Sequence, residues 1–393
     1  MSHPKRSASR RWRPAIGLVV ASTILVAACG DDDDASAPTT SANAPTTSSA
    51  TSSDTGVPAN VATAQAAVAE ATQTPTEAST EALNLPPITK PIPEGKTIDY
   101  ITCGTPDCNE AIDKIRDAAA ILGWNAEMIN TDGTPQTVQN AWAQVLREKP
   151  DGVWISGFSR SMFNQEVLDA EAAGITVVST GTVDPIGDGI VWVDGHVFYN
   201  NAGALMASWV LANSDGAPNV LYATIPDYPV VALIEDSFRQ TLSEQAPNAK
   251  VETLTIPLEA LGTTAPDLYV SALRSNPDID FVVPAFDALW SGVPAALSAA
   301  SLTDTKSITV TTTATGLQAI QDGQLSAGIG YDGTLEDFQV VDAFARVFAG
   351  EPVLGDVQYP KMIITTENLP AIEGHYTVLP GLDQYFSGVW GKS

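Results

Sequence analysis

An α/β fold of two doubly wound parallel-sheet lobes is what this 393-residue sequence predicts, and three patterns predict it. From Thr97 onward, short β-branched runs alternate with stretches of about 10 to 16 residues whose apolar positions recur three and four apart. The runs are continuously apolar, as strands covered on both faces of a parallel sheet are. The alternation breaks once, at 181–200, where a Gly- and Asp-rich connection holds one more strand (GIVWVDG). With that break, the length available per sheet favours two lobes over a single barrel.

The chain opens on five basic residues, Lys5, Arg6, Arg10, Arg11 and Arg13, followed by an apolar run at 15–28 (AIGLVVASTILVAA) that stops at Cys29. As a helix this run rises only about 21 Å, short of a hydrocarbon core of roughly 30 Å, so it reads as an export signal rather than a span. Small residues Ala27 and Ala28 immediately before Cys29 resemble the lipobox of bacterial lipoproteins, which implies cleavage after residue 28 and a diacylglycerol on the Cys29 thiol. The exported chain is then held on the outer face of the cell membrane by lipid, not by a helix.

Residues 29–92 follow as a tether. Asp31 to Asp34 precede a stretch of Ala, Ser, Thr and Pro that offers too little apolar surface to offset chain ordering. A free chain of some 60 residues spans roughly 45 Å, enough to stand the folded part clear of the membrane. Cys103 and Cys108 are the two cysteines left; in an oxidising compartment they are expected to form a disulfide. A metal site there would need two further ligands, with only His196 and His375 remaining in the exported chain, so no metal and no cofactor is expected.

Strands are predicted at 97–102, 125–129, 152–156, 175–179, 219–224, 251–256, 281–284, 307–312 and 325–330, and helices at 110–122, 134–148, 162–173, 200–212, 231–244 and 267–275. In the first helix Ile112, Ile115, Ala118, Ala119 and Leu122 mark one face. In such sheets a ligand sits outside the carboxyl ends of the strands, so the loops after each strand are where function is sought.

Lys and Arg total 19 against 46 Asp and Glu, and five of the 19 lie in the export signal. That balance excludes nucleic acid as a partner, because phosphate recognition needs clustered basic residues. Catalytic signatures are absent too: there is no G-x-S-x-G, no H-E-x-x-H and no G-x-x-x-x-G-K-[ST]. The expectation is a binding protein, not an enzyme.

Three segments carry a resemblance: 121–180 (ILGWNAEMINTDGTPQTVQNAWAQVLREKPDGVWISGFSRSMFNQEVLDAEAAGITVVST), 276–302 (NPDIDFVVPAFDALWSGVPAALSAASL) and 307–333 (SITVTTTATGLQAIQDGQLSAGIGYDG). Together they resemble the type I periplasmic binding proteins, the ribose-binding-like group, over roughly 96–366. The resemblance implies a monomeric two-lobe clamp with three hinge crossovers, near Ser214, Gly330 and Thr366. It places lobe 1 at 96–214 and 331–366, and lobe 2 at 215–330 and 367–393. It implies a small ligand enclosed between the lobes and delivered to an ATP-powered (ABC) import permease or, in some members, presented to a sensor.

Carried onto this chain, the resemblance singles out Phe286 and Asp287, where sugar-binding relatives have an Asn-Asp pair whose carboxylate accepts ligand hydroxyls. Asp287 is the first expected ligand contact, its other reading being a helix cap; Phe286 adds an apolar face, and Trp290 either stacks on a ring or packs. Tyr331 and Asp332 stand at a hinge that also touches ligand in the family. Arg160 is the one basic residue in a loop after a strand, positioned for a carboxylate or for solvent. Departures are as informative: Ser179-Thr180-Gly181 replaces an Asp-Arg, Ile234 stands in place of an Arg, and Thr312-Thr313 replaces an Asp, making Thr313 a hydroxyl contact. Phe158, Phe198, Tyr199 and Tyr228 also lie in candidate rim loops, while His196 reads as a surface hinge residue. What remains is a site for a small, mostly neutral ligand: a sugar, a cyclic polyol or an aromatic compound.

Overall fold

A computed structural model describes residues 57–77, 79–194, 196–355, 359–372 and 375–392. The export signal, Cys29 and the acidic run after it lie outside these residues. The first element, α1 (Ala59–Glu77), corrects the tether expected over 29–92, because it is helical and packed. It is rich in alanine, the strongest helix former, and buries Val61, Ala64 and Ala71 on the body of the protein. Asn60 Nδ2 donates to the Gln245 carbonyl at 3.0 Å, and Asn368 Nδ2 donates to that of Thr72 at 2.6 Å. From Leu85 the chain is tied down again, with the Ile88 N–H on the Val389 carbonyl at 2.8 Å and Trp124 Nε1 on that of Pro93 at 2.7 Å.

Lobe 1 is a five-stranded sheet of β1 (Thr97–Ile101), β2 (Asn125–Ile129), β3 (Gly152–Ser156), β4 (Thr176–Thr180) and β5 (Ile190–Asp194), in the order β2-β1-β3-β4-β5 and parallel throughout. Helices α2 (Pro106–Ile121), α3 (Pro135–Glu148) and α4 (Asn164–Ala172) make the crossovers. Proline in the first turn of α2 and α3 fits there, where its missing N–H removes no helical bond. The apolar stripe of α3, Val138, Ala141, Trp142 and Val145, is buried. Tyr100 and Trp154, opposite each other on β1 and β3, stack with ring centres 3.8 Å apart.

β5 leads directly into α5 (His196–Ala212), which packs against α6 (Pro229–Gln245) of the second lobe. Gly203 permits this approach: a Cβ on it would stand 2.2 Å from the Ile234 carbonyl oxygen. The first passage between lobes therefore falls between β5 and α5, not near Ser214, and all of α5 belongs to lobe 2.

Lobe 2 repeats the strand order of lobe 1 with one strand added at the edge. β6 (Asn219–Thr224), β7 (Lys250–Thr255), β8 (Phe281–Pro284), β9 (Lys306–Thr311), β10 (Ala327–Gly330) and β11 (Ile363–Ile364) lie in the order β11-β10-β9-β8-β6-β7. Only β11 runs antiparallel to its neighbour. Helices α7 (Ala265–Ser275), α8 (Val293–Ala299) and α9 (Ala314–Gln321) complete this lobe. After β10 the chain returns to lobe 1 as α10 (Gly333–Ala349), which packs on α2 and β4. It then revisits lobe 2 for β11 and ends on lobe 1 as α11 (Leu382–Val389), packed on α10. The expected division after residue 331 holds for α10 and is reversed beyond it: β11 pairs in the lobe 2 sheet, and 375–392 belongs with lobe 1. The cause is α11's apolar face, whose Phe386, with Trp390 just beyond the helix, meets Phe338 of α10.

Candidate ligand-binding site

The carboxyl ends of both sheets converge on one cavity of about 80 Å³. Lobe 1 supplies Cys103 and Thr105 after β1, Cys108 in α2, Ser156 and Gly157 at the end of β3, and Gly181 after β4. Lobe 2 supplies Tyr199 of α5, Tyr228 ahead of α6, Val230, Val231 and Ile234 within α6, Phe286 after β8, and Val310 and Thr312 around the end of β9. In each lobe the contributing loops straddle the switch point of the strand order, where open α/β sheets bind ligands.

Close packing of the lobe 1 loops sets the cavity floor. Cys103 and Cys108 are joined by a disulfide with Cα atoms 5.7 Å apart, and Thr105 Oγ1 donates to Cys103 Sγ at 2.9 Å. Gly157 is required where it stands: its φ is +83°, and a Cβ would meet that of Cys103 at 3.0 Å. Across the cleft, the Tyr228 hydroxyl donates to the Cys103 carbonyl at 3.5 Å, so the two lobes touch.

A sequence model described as a periplasmic binding protein domain matches residues 102–352, more than half of the chain. The chain belongs to the periplasmic binding protein family. It is accordingly a binding protein rather than an enzyme. Its fold is that of an ABC sugar transporter subunit from Rhodobacter sphaeroides (21% identity, TM-score 0.61, 70% of this chain and 99% of that one). Also similar are a carbohydrate transporter from Acidothermus cellulolyticus in complex with myo-inositol (19%, TM-score 0.55, 70% and 96%) and a Mycobacterium smegmatis protein in complex with β-D-fucofuranose (21%, TM-score 0.61, 76% and 98%). No curated protein matches the chain in sequence. Among the described residues no helix is long and apolar enough to cross a membrane.

Of the residues the sequence singles out in this binding protein, Phe286 lines the cavity. Asp287 does not: its carboxylate accepts the N–H and Oγ1–H of both Thr312 and Thr313, at 3.0 to 3.1 Å, and it ties β9 to α9. Thr313 caps α9 through the Gly316 N–H. Trp290 and Asp287 face a separate groove along α9, and the Trp290 indole donates to the Gln324 carbonyl at 3.0 Å. Arg160 clasps the loop ahead of β5, donating to the Gly187 carbonyl at 2.9 Å and to that of Asp188. Phe158 is buried beside the cavity floor. Tyr331 joins Phe198 and Tyr359 in an aromatic cluster at the hinge, with ring centres 4.6 and 5.3 Å away. His196 is there too, donating from Nε2 to the Thr182 carbonyl at 3.0 Å.

Asp332 is the N-cap of α10, accepting the Leu335 N–H at 3.0 Å, Thr377 Oγ1–H at 2.7 Å and the Val378 N–H at 3.2 Å. Burial nonetheless raises its pKa to about 6. One turn on, Glu336 is pushed up to about 7, chiefly by burial and then by the charge of Asp337; hydrogen bonds from Tyr331 and Thr180 oppose this. These acids stand in the hinge behind the cavity wall, and none lines the cavity. The residues that sequence reasoning did not assign to the ligand are the aliphatic ones of α6 and the disulfide itself. Ile234, standing where the family has an Arg, was the signal for the first.

Proposed function

We propose that this chain is an extracytoplasmic solute-binding lipoprotein. It captures a small, mostly neutral ligand, a sugar, cyclic polyol or aromatic compound, between its lobes, and delivers it to an ABC import permease. The observation that carries this reading is the cavity itself, built from the strand ends of two lobes of the same strand order that are joined only through hinge segments. Opening exposes both walls and closing buries the solute, and a permease would distinguish the two forms. Cys29 would carry the lipid, and the Ala- and Ser-rich stretch before α1 would be the tether. Because α1 packs on α5 and β11, the tether joins the folded body at lobe 2. Phe286 and Tyr228 are the contacts best placed to meet a ring, with Thr312 and Ser156 offering hydroxyls.

Thermal unfolding of the exported chain against sugars, cyclic polyols, aromatic compounds and amino acids tests the reading. A solute at about a thousand times its dissociation constant stabilises by about 4 kcal/mol, a shift of several degrees. No shift across the panel would remove the solute-binding assignment. Cys29→Ala should release the protein from cells into the medium, and retention at the membrane would refute the lipid anchor.

A further inference from the structure

From the lining of the cleft we infer that the ligand is a small, uncharged, single-ring compound, aromatic or alicyclic, bearing no more than a hydroxyl or carbonyl group, and not a polyhydroxylated sugar. This rests on the solute-binding reading and narrows it. Among the described residues, the cavity wall holds no carboxylate, ammonium, guanidinium, imidazole or amide side chain. Four aliphatic residues of lobe 2, Val230, Val231, Ile234 and Val310, line it together with Phe286 and Tyr228. The disulfide of Cys103 and Cys108 faces them from lobe 1, and polarisable sulfur packs well against ring edges.

Each hydroxyl of a polyol is both donor and acceptor, so an enclosed polyol needs paired partners all round its ring. This wall offers side-chain hydroxyls only, those of Thr105, Ser156, Tyr199, Tyr228 and Thr312. Thr105 Oγ1 is engaged by Cys103 Sγ, and Thr312 Oγ1 already gives its proton to Asp287. The strong acceptors nearby are turned to the scaffold: Asp287 to Thr312 and Thr313, Asp332 to Leu335, Thr377 and Val378. The one loop arginine, Arg160, is held by the carbonyls of Gly187 and Asp188. A ring with a single polar group asks nothing more of the wall than a hydroxyl partner and apolar contact.

Calorimetric titration of the exported chain with cyclohexanol, phenol, myo-inositol and ribose decides the matter, since cyclohexanol and myo-inositol share a ring and differ in hydroxyl number. We expect cyclohexanol and phenol to bind tighter than either polyol by about tenfold or more, with a negative heat-capacity change. Ile234→Arg, checked for its own thermal transition, should abolish that binding, and Phe286→Ala, at a partly exposed position, should weaken it. Binding of myo-inositol or ribose as tightly as cyclohexanol overturns the inference and leaves the solute-binding reading standing. Failure of all four probes to bind overturns the inference, and the solute-binding reading falls only if the wider thermal panel also gives no shift. Ring compounds that bind the wild-type chain and both variants equally would show that they sit elsewhere.

Discussion

The cleft and the hinge behind it divide the polar chemistry of this protein unequally. Within the cleft the polar side chains are hydroxyls, and the rest of the wall is aliphatic, aromatic or disulfide. Behind it, α10 and the segment from residue 375 bury Asp332, Glu336, Asp337 and His375, and further along α10 lie the buried Asp342 and Arg346. Thr180 joins the two regions, being hydrogen-bonded to Glu336 while its neighbour Gly181 lines the cavity. Charge in this protein thus orders the scaffold that carries the lobes, and ligand choice is left to shape and apolar contact. In a site with few polar groups, a solute hydroxyl left unpaired costs about 1–3 kcal/mol, which gives such a site its discrimination.

The largest effect is expected where the charges of α10 are most enclosed. Arg346 Nε donates to Asp342 Oδ2 at 2.7 Å, both side chains nearly inaccessible, and its Nη2 reaches the Pro86 carbonyl at 2.7 Å. Trp390 Nε1 donates to the other Asp342 oxygen at 2.9 Å. Arg346→Leu leaves a carboxylate buried without its cation and should cost about 3–5 kcal/mol in urea denaturation. The double variant Asp342→Leu/Arg346→Leu should recover most of that, because replacing a whole buried pair is far less costly than halving it. A single variant as stable as the wild type would show that this buried pair does not organise α10.

Next in size is the loss of α1, whose placement also shows where sequence reading stopped. The β-α alternation was legible because strands and helices carry different apolar periods; the predicted strands fall within a residue or so of β1 to β4 and β6 to β10. Composition alone placed Ala59–Glu77 in a tether, since few of its residues are large and apolar. Its burial depends on α5, more than a hundred residues away, presenting a face for Val61, Ala64 and Ala71 to cover. Asp287 was legible as an acid after a strand, read as a ligand contact or a helix cap, but not as one saturated by Thr312 and Thr313, because that requires knowing which loops meet. The cavity wall was legible mainly by its departures: Ile234 in place of an Arg, and Thr312 in place of an acid. A chain beginning at residue 79 should therefore unfold about 2–4 kcal/mol more easily than one beginning at residue 57, by the apolar surface and hydrogen bonds it forgoes. Equal urea midpoints for the two would return α1 to the tether.

The smallest effect separates hinge from cleft by pH. Glu336 has its carboxyl raised from 4.5 to about 7, first by burial and second by Asp337, with His375, Tyr331 and Thr180 pulling the other way. Asp332 and Asp337 are each raised to about 6, again mainly by burial. Between the unfolded and folded values the folded chain keeps a proton that the unfolded chain has released, so stability falls as pH rises. For Glu336 that loss runs from about 4.5 through about 7 and is complete above it; the two aspartates add to its lower part. Thermal unfolding should therefore give a higher midpoint at pH 5.5 than at pH 8. Glu336→Gln, which keeps a neutral side chain of the same shape, should flatten the slope above pH 6 and stabilise the chain at pH 8 by about 1–3 kcal/mol. Since the cavity wall holds no carboxylate or imidazole, the affinity of the closed cleft for a neutral ring should stay level over the same range. An affinity that follows Glu336 would mean that the hinge acid couples to the ligand, and that the division between the two regions does not hold.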